Sequence, residues 1–239
     1  MNKPNVGVIG LGAMGMGVAR SLLRAGFTVA ACDVRPEARA AIEEAGGTAY
    51  ETPAEVGKSA AVIIVLVVNA EQTERVLFGP GGAVETLAPG TVVIASATVA
   101  AEFIVALGQR LAARGLLLLD APVSGGAVKA AQGQMTVMAS GAPAVFEKVQ
   151  PVLDAIATKT YNLGADLGAG STVKMVNQLL AGVHIAAAAE AMALGIRAGA
   201  DPEQLFEVIS HSAGSSWMFQ NRVPHILAGD YTPLSSVNI

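Results

Sequence analysis

A chain of 239 residues is long enough for one large domain or two modest ones, each able to bury a core without disulfide staples. With 52% hydrophobic and 14% charged residues, disorder is excluded as a description of the whole. A net charge of -4 without any Lys/Arg cluster removes the basic stripe that a phosphate backbone requires, so no nucleic-acid partner is expected.

The mean hydropathy of +0.52 raises the question of a membrane. The longest clean apolar run, residues 60–68, falls far short of the roughly 20 residues that span a bilayer, so no membrane partner is expected. The apolar N-terminus has glycines at fixed spacing and no small-residue cleavage site, and reads as a first strand rather than a signal peptide. Cys32 is the single cysteine; it lies in an apolar run, cannot form an internal disulfide, and fits a reducing, cytoplasmic compartment.

In chain order, 6–9 is a β-branched run, 14–25 has helical apolar spacing and 27–32 is again strand-like, which makes a βαβ unit. The alternation continues through a helix over 36–45, a strand over 61–68, a helix over 71–77, a strand over 92–95, a helix over 101–113 and a strand over 116–120. Strands written as unbroken apolar runs are those covered on both faces, as in parallel sheets. One more strand over 134–139 and a helix over 142–156 follow, and there the strand signals stop.

From Gly170 the pattern turns to helices, 171–198 and 202–210, with Ser171 expected to cap the first, Gly199 to stop it and Asp201 to cap the second. The switch from α/β to all-α falls near 162–170. The expected organisation is therefore a doubly wound parallel sheet of Rossmann type over 1–165, followed by an all-α domain over 166–239. The chain ends after Ser235-Ser236-Val237-Asn238-Ile239 with no terminal cap, so the helical part is expected to be incomplete as supplied.

The first strand runs into Gly10-Leu11-Gly12-Ala13-Met14-Gly15, a G-x-G-x-x-G between a strand and a helix. Gly10 permits the tight turn, Gly12 lets a pyrophosphate approach the backbone, and Gly15 lets helix and strand pack closely, while the helix N-terminus supplies amide donors and a positive dipole. The second strand ends at Asp33, about 20 residues on, where a carboxylate can accept hydrogen bonds from the adenosine ribose. That charge favours NAD over NADP, although Arg35 nearby keeps NADP open. Asn69 and Thr98 follow the third and fourth apolar strands, at the carboxyl edge where open α/β sheets bind ligands; as isolated residues they read equally well as turn or cap residues.

The strand over 116–120 ends in Asp120-Ala121-Pro122-Val123-Ser124-Gly125-Gly126. Ser124, Gly125 and Gly126 would present consecutive backbone amides suited to a carboxylate, though an ordinary turn explains them as well. Gly168-Ala169-Gly170-Ser171 precedes the long helix and places Lys174 in its first turn, where the helix dipole disfavours a cation and would draw the amine toward neutrality, as a general base requires. Asn177 and Gln178 lie one turn on, on the same face. A lone lysine is more often a solvated surface residue. His184, His211 and His225 are too scattered for a metal motif, and no metal is expected. Trp217, Met218 and Phe219 read either as a pocket wall or as core.

Taken together, Val8-Ile9-Gly10-Leu11-Gly12-Ala13-Met14-Gly15, the Asp120 to Gly126 motif, and Gly168-Ala169-Gly170-Ser171-Thr172-Val173-Lys174-Met175-Val176-Asn177-Gln178 resemble the cofactor, substrate and catalytic segments of the β-hydroxyacid dehydrogenase family, which includes 3-hydroxyisobutyrate dehydrogenases and tartronate semialdehyde reductases. The resemblance covers essentially the whole chain. It implies Lys174 as the catalytic residue, Ser124, Gly125 and Gly126 as the carboxylate site, and Asn177 or Gln178 as substrate-orienting residues. It also implies Leu11, Ala13, Met14, Val67, Val68, Asn69 and Thr98 as further cofactor contacts. The family usually has two asparagines where this chain has Asn177-Gln178, and a later lysine whose place falls beyond Ile239. Within the family, 176–184 and 215–225 are most similar to members that oxidise L-threonate at carbon 2 to 2-oxo-tetronate. A homodimer or homotetramer joined through the helical domains is implied too. The rival readings are another hydroxy acid of the same family, an imine-reducing relative, which commonly lacks this lysine, and a non-enzymatic dinucleotide-binding module.

Overall fold

The computed structural model describes residues 3–232, so the expectation about the segment ending at Ile239 lies outside the described residues. The first eleven elements are β1 (Val6–Ile9), α1 (Gly15–Arg24), β2 (Val29–Cys32), α2 (Pro36–Glu44), β3 (Thr48–Tyr50), α3 (Pro53–Gly57), β4 (Val62–Val65), α4 (Ala70–Phe78), β5 (Val92–Ala95), α5 (Ala101–Ala112) and β6 (Leu117–Asp120). Their strands form a six-stranded sheet in the order β3-β2-β1-β4-β5-β6. Every pairing in it is parallel, with Val8 opposite Ala31 on one side and Ile64 on the other. This is the doubly wound order in which the chain reverses direction between β1 and β4.

The four-residue runs VGVI, VAAC, VIIV and VVIA are buried throughout because helices cover both faces. Alternation along each strand sorts the side chains. Val8, Ile64 and Ile94 pack with Leu22 of α1 on one face, and Ile63, Val65 and Val93 pack with Leu107 and Leu111 of α5 on the other.

The strand β3 and the helix α3 that follows it were not expected from the sequence. β3 is three residues long and only partly buried. α3 begins with a capping box, in which Thr52 Oγ1 accepts from the Glu55 amide at 3.3 Å and the Glu55 carboxylate accepts from the Thr52 amide at 3.0 Å.

Past β6 come β7 (Val123–Ser124), α6 (Gly126–Gln132), β8 (Met135–Ala139), α7 (Pro143–Ile156) and β9 (Ala157–Asn162). They build a second sheet, β7-β8-β9, antiparallel between β7 and β8 and parallel between β8 and β9. The expectation that strand signals end with the helix over 142–156 is corrected by β9. Its sequence, ATKTYN, lacks an apolar face because it is a largely exposed edge strand, so periodicity had nothing to register.

The remaining elements are α8 (Ala169–Arg197), α9 (Pro202–Ser210) and α10 (Trp217–Leu227). The chain divides into two compact units, Met1–Met175 and Val176–Ile239, and the division falls inside α8. In the second unit Ala188, Met192, Phe219 and Val223 form a small core, with the Phe206 and Phe219 rings stacked at 5.8 Å. Asp201 Oδ1 caps α9 through the Gln204 amide at 2.9 Å, and Gly199 takes a φ of +91° just after α8. α10, unforeseen, is capped by Ser216 Oγ, which accepts from the Phe219 amide at 3.0 Å. Phe219 is core, whereas Trp217 is 65% exposed.

Among the described residues one helix, α8, is long and apolar enough to cross a membrane. Its apolar residues do not form one unbroken run, because Gly182 and Gly195 and the polar Lys174, Asn177, Gln178, His184 and Glu190 interrupt them.

Candidate active site

The glycine turn between β1 and α1 sits at the carboxyl edge of the sheet, beside the β1/β4 reversal. Gly10 has a φ of +93°, and a Cβ there would lie 2.6 Å from the Leu66 carbonyl oxygen, so neither the backbone nor the space admits another residue. A Cβ on Gly15 would collide with the Gly10 carbonyl. Gly12 is different, because a Cβ there would have nothing within 4 Å. α1 begins with no side-chain cap on Met14 and no acidic residue in its first turn, which leaves its orphan amides for an anion. Open space at Gly12 above an uncapped helix N-terminus fits a dinucleotide pyrophosphate. Leu11 is buried, while Ala13 is exposed on the turn.

Asp33 follows β2 and reaches back to this turn. Its Oδ2 accepts from the Leu11 amide at 2.7 Å, and its Oδ1 accepts from the Arg35 amide and from Arg35 Nε, both at 2.9 Å. Burial alone would raise the Asp33 pKa; the hydrogen bonds from the Arg35 side chain and backbone and from Leu11, with the Arg35 charge, outweigh it and hold the carboxyl below its ordinary value. The Arg35 guanidinium also donates to the Leu11 carbonyl at 3.0 Å. Neighbouring Cys32 has its thiol pushed up to about 12, first by burial and then by the Asp33 charge, which leaves it unreactive.

Val67, Val68 and Asn69 lie between β4 and α4, at the same edge. Asn69 Oδ1 caps α4, accepting from the Gln72 amide at 2.9 Å. Thr98 stands half-buried between β5 and α5.

Ser124 ends β7, and Gly125 and Gly126 take φ values of +135° and +71° as the chain enters α6. A Cβ on Gly126 would meet nothing within 4 Å, so that turn is open as well.

The head of α8 differs from the sequence expectation in two ways. Ser171 is not its cap, since the helix begins at Ala169 and Ser171 stands inside it, donating its amide at 2.9 Å and its hydroxyl at 2.7 Å to the carboxylate of Asp120. Lys174 consequently lies beyond the first turn, where the dipole's influence has largely faded. Its pKa is nonetheless lowered, and the cause is desolvation: the residue is 7% exposed, and among the described residues its ammonium forms no ion pair. Helical spacing puts Asn177 and Gln178 on the same side of α8 as Lys174. Both are half-buried, and Asn177 Nδ2 donates to Gln178 Oε1 at 3.2 Å. His211 Nδ1 pairs with the Glu207 carbonyl, and His225 Nδ1 with Asp230 at 3.3 Å.

One participant escaped the sequence reading. Asp120 stands in a recognised motif, but nothing in the spacing showed that its carboxylate would close the start of a helix about fifty residues later.

Residues 5–164 match the family described as the NAD binding domain of 6-phosphogluconate dehydrogenase, and residues 168–239 match that described as NAD-binding of NADP-dependent 3-hydroxyisobutyrate dehydrogenase. The chain is 64% identical over 235 residues to an L-threonate dehydrogenase of Cupriavidus necator, a match covering 98% of this chain and 79% of that one. It is 50% identical to the L-threonate dehydrogenase of Escherichia coli K12, over 98% of this chain and 78% of the relative. The crystal structure of a 3-hydroxyisobutyrate dehydrogenase from Salmonella typhimurium superposes with a TM-score of 0.93 at 50% identity, covering 98% of this chain and 82% of that one. Likeness of this depth, along a sheet whose glycine turn is shaped for a dinucleotide, is family membership: the chain is a hydroxyacid dehydrogenase and belongs to the β-hydroxyacid dehydrogenase family.

Proposed function

We propose that the chain oxidises L-threonate at carbon 2 to 2-oxo-tetronate with NAD, and that Lys174 accepts the hydroxyl proton at Nζ. The observation that carries the chemistry is the burial at the head of α8 of a lysine that forms no ion pair among the described residues. Such an amine costs stability to keep, and holding a base that gives up its proton more readily than an exposed lysine is the function that offsets the cost. The substrate rests on the name borne by the most similar relatives.

In this reading Ser124, Gly125 and Gly126 hold the substrate carboxylate, and Asn177 and Gln178 orient its hydroxyls. Gly10, Leu11, Gly12, Ala13, Met14, Gly15, Asp33, Val67, Val68, Asn69 and Thr98 surround the dinucleotide. Nicotinamide, when bound, supplies the hydride acceptor. The protein's own part is to fix the hydroxyl against Lys174 Nζ and to exclude water, and positioning of this kind carries much of the acceleration.

Turnover, read as NADH formation from NAD with L-threonate, glycerate, 3-hydroxyisobutyrate and a cyclic amine and as NADH consumption with tartronate semialdehyde, should be fastest with L-threonate. Faster turnover of 3-hydroxyisobutyrate or tartronate semialdehyde would move the assignment within the family, and oxidation of the amine alone would replace it. NADH binding without turnover of anything would leave a binding module.

NAD is preferred to NADP because Asp33 places a carboxylate where a 2′-phosphate would have to sit, and because Arg35 is engaged with Asp33 and the Leu11 carbonyl. Asp33→Ser should lower the ratio of kcat/KM for NAD to that for NADP by about tenfold or more, the scale of one charged contact. An unchanged ratio would remove Asp33 from cofactor choice.

Exposed apolar side chains on α8, among them Leu179, Leu180, Val183 and Leu194, suit a homodimer or homotetramer better than a lipid phase. Lys174, Asn177, Gln178, His184 and Glu190 recur along the same helix and would be costly in a bilayer. A cytoplasmic location accords with the buried, unreactive Cys32.

A further inference from the structure

Asp120 is fully buried at the end of β6, with Ser140 fully buried beside it. Backbone bonds tie the two together: the Ser140 amide donates to the Asp120 carbonyl at 2.8 Å and the Asp120 amide to the Ser140 carbonyl at 3.1 Å. Asp120 Oδ2 accepts from the Gly168 amide at 3.1 Å, the Ser171 amide at 2.9 Å and Ser140 Oγ at 3.1 Å, and Oδ1 accepts from Ser171 Oγ at 2.7 Å. Ser140 Oγ in turn accepts from the Gly170 amide at 3.1 Å. The amides of 168, 170 and 171, donors that a helix start leaves without intrahelical partners, are thus taken up by two side chains rooted in the sheets.

The approach is close as well as bonded. A Cβ on Gly170 would collide with the Met138 carbonyl oxygen and lie 3.0 Å from Asp120 Oδ2. The first turn of α8 is therefore fixed in height, through three amides, and in rotation, through the Ser171 hydroxyl. Lys174 follows Ser171 by three residues, about 4.5 Å along the axis at 1.5 Å per residue, so its depth and direction are set from that anchor.

We infer that Asp120 is a positioning residue, whose carboxylate locks the start of α8 so that the Lys174 amine is held at its working place. The inference rests on the reading of Lys174 as the proton-transfer residue. It needs no charge on Asp120 beyond its accepting capacity. An asparagine could set its amide oxygen where Oδ2 stands and donate its amide hydrogens to Ser171 Oγ, so that the hydroxyl turns from donor to acceptor.

The test is a set of variants in the otherwise intact protein, read as kcat, KM for L-threonate and NADH dissociation constant. Asp120→Ala should lower kcat about tenfold or more, the scale of an ångström-level misplacement of a catalytic group, and leave NADH affinity within about twofold. Asp120→Asn should recover most of that loss. Combined with Lys174→Ala, Asp120→Ala should lower the residual rate no further, because an anchor has nothing left to position.

Near-normal turnover by Lys174→Ala would end the lysine reading whatever Asp120 does. If instead Lys174→Ala is slowed to a residual rate while Asp120→Ala keeps wild-type kcat, loses NADH affinity in step with kcat, or adds its loss to that of Lys174→Ala, the positioning role is overturned and the lysine reading stands. Should Asp120→Ala fail to fold, Ser171→Ala removes only the 2.7 Å bond. It should lower kcat several-fold at unchanged NADH affinity, and an unchanged kcat would overturn the inference.

Discussion

Replacing Lys174 by alanine should cut turnover by a factor on the order of 100 or more, the contribution of a positioned general base, while NADH binds as before. Two further substitutions separate this role from packing. Lys174→Arg keeps a cation of similar length, but a guanidinium cannot give up its proton near neutral pH, so it should be as inactive as the alanine variant. Lys174→Met fills the same space without a charge to desolvate, and its melting temperature should equal or exceed that of the wild type while activity is lost. A methionine variant that melts earlier in step with its lost turnover would make Lys174 a packing residue.

Gly12 carries the second large effect. Nothing lies within 4 Å of a Cβ built there, so Gly12→Val should fold with an unchanged melting temperature in the absence of ligand. The side chain would occupy the space through which a pyrophosphate approaches the backbone, and NADH affinity should fall about tenfold or more, roughly 1.4 kcal/mol or beyond. Gly15→Ala is the contrasting case, since its methyl collides with the Gly10 carbonyl and binding and stability should fall together. Unaltered NADH affinity in a folded Gly12→Val would place the dinucleotide elsewhere.

What could be read in advance follows from how each feature is encoded. β1, β4 and β5 are apolar runs in a sheet covered on both faces, and burial writes itself into composition. β7 has two residues and β9 is a polar edge, so neither carries a pattern longer than noise. α3 was legible in principle, because Thr52-Pro53-Ala54-Glu55 is a capping box with proline at the first helical position.

The glycine turn was legible because Gly10 and Gly15 answer local steric demands and Gly12 keeps open the space a ligand would need. The head of α8 was not. Its cap is supplied by Asp120 across a sequence separation of 51, and a local rule naturally chose Ser171. The same long-range packing moved the cause of the lysine's lowered pKa from the helix dipole to desolvation.

The sign of that shift gives the most direct test. With its pKa lowered in the native protein, Lys174 is neutral over a range of pH in which the unfolded chain still holds the proton. Through that window stability gains with rising pH, and so does the fraction of enzyme carrying a usable base. The pH dependence of kcat/KM for the wild type should therefore show an ascending limb centred below the ordinary lysine value, and Lys174→Arg should show no such limb in its residual rate. An identical limb in both proteins would assign the proton transfer to another group and contradict the proposed role of Lys174.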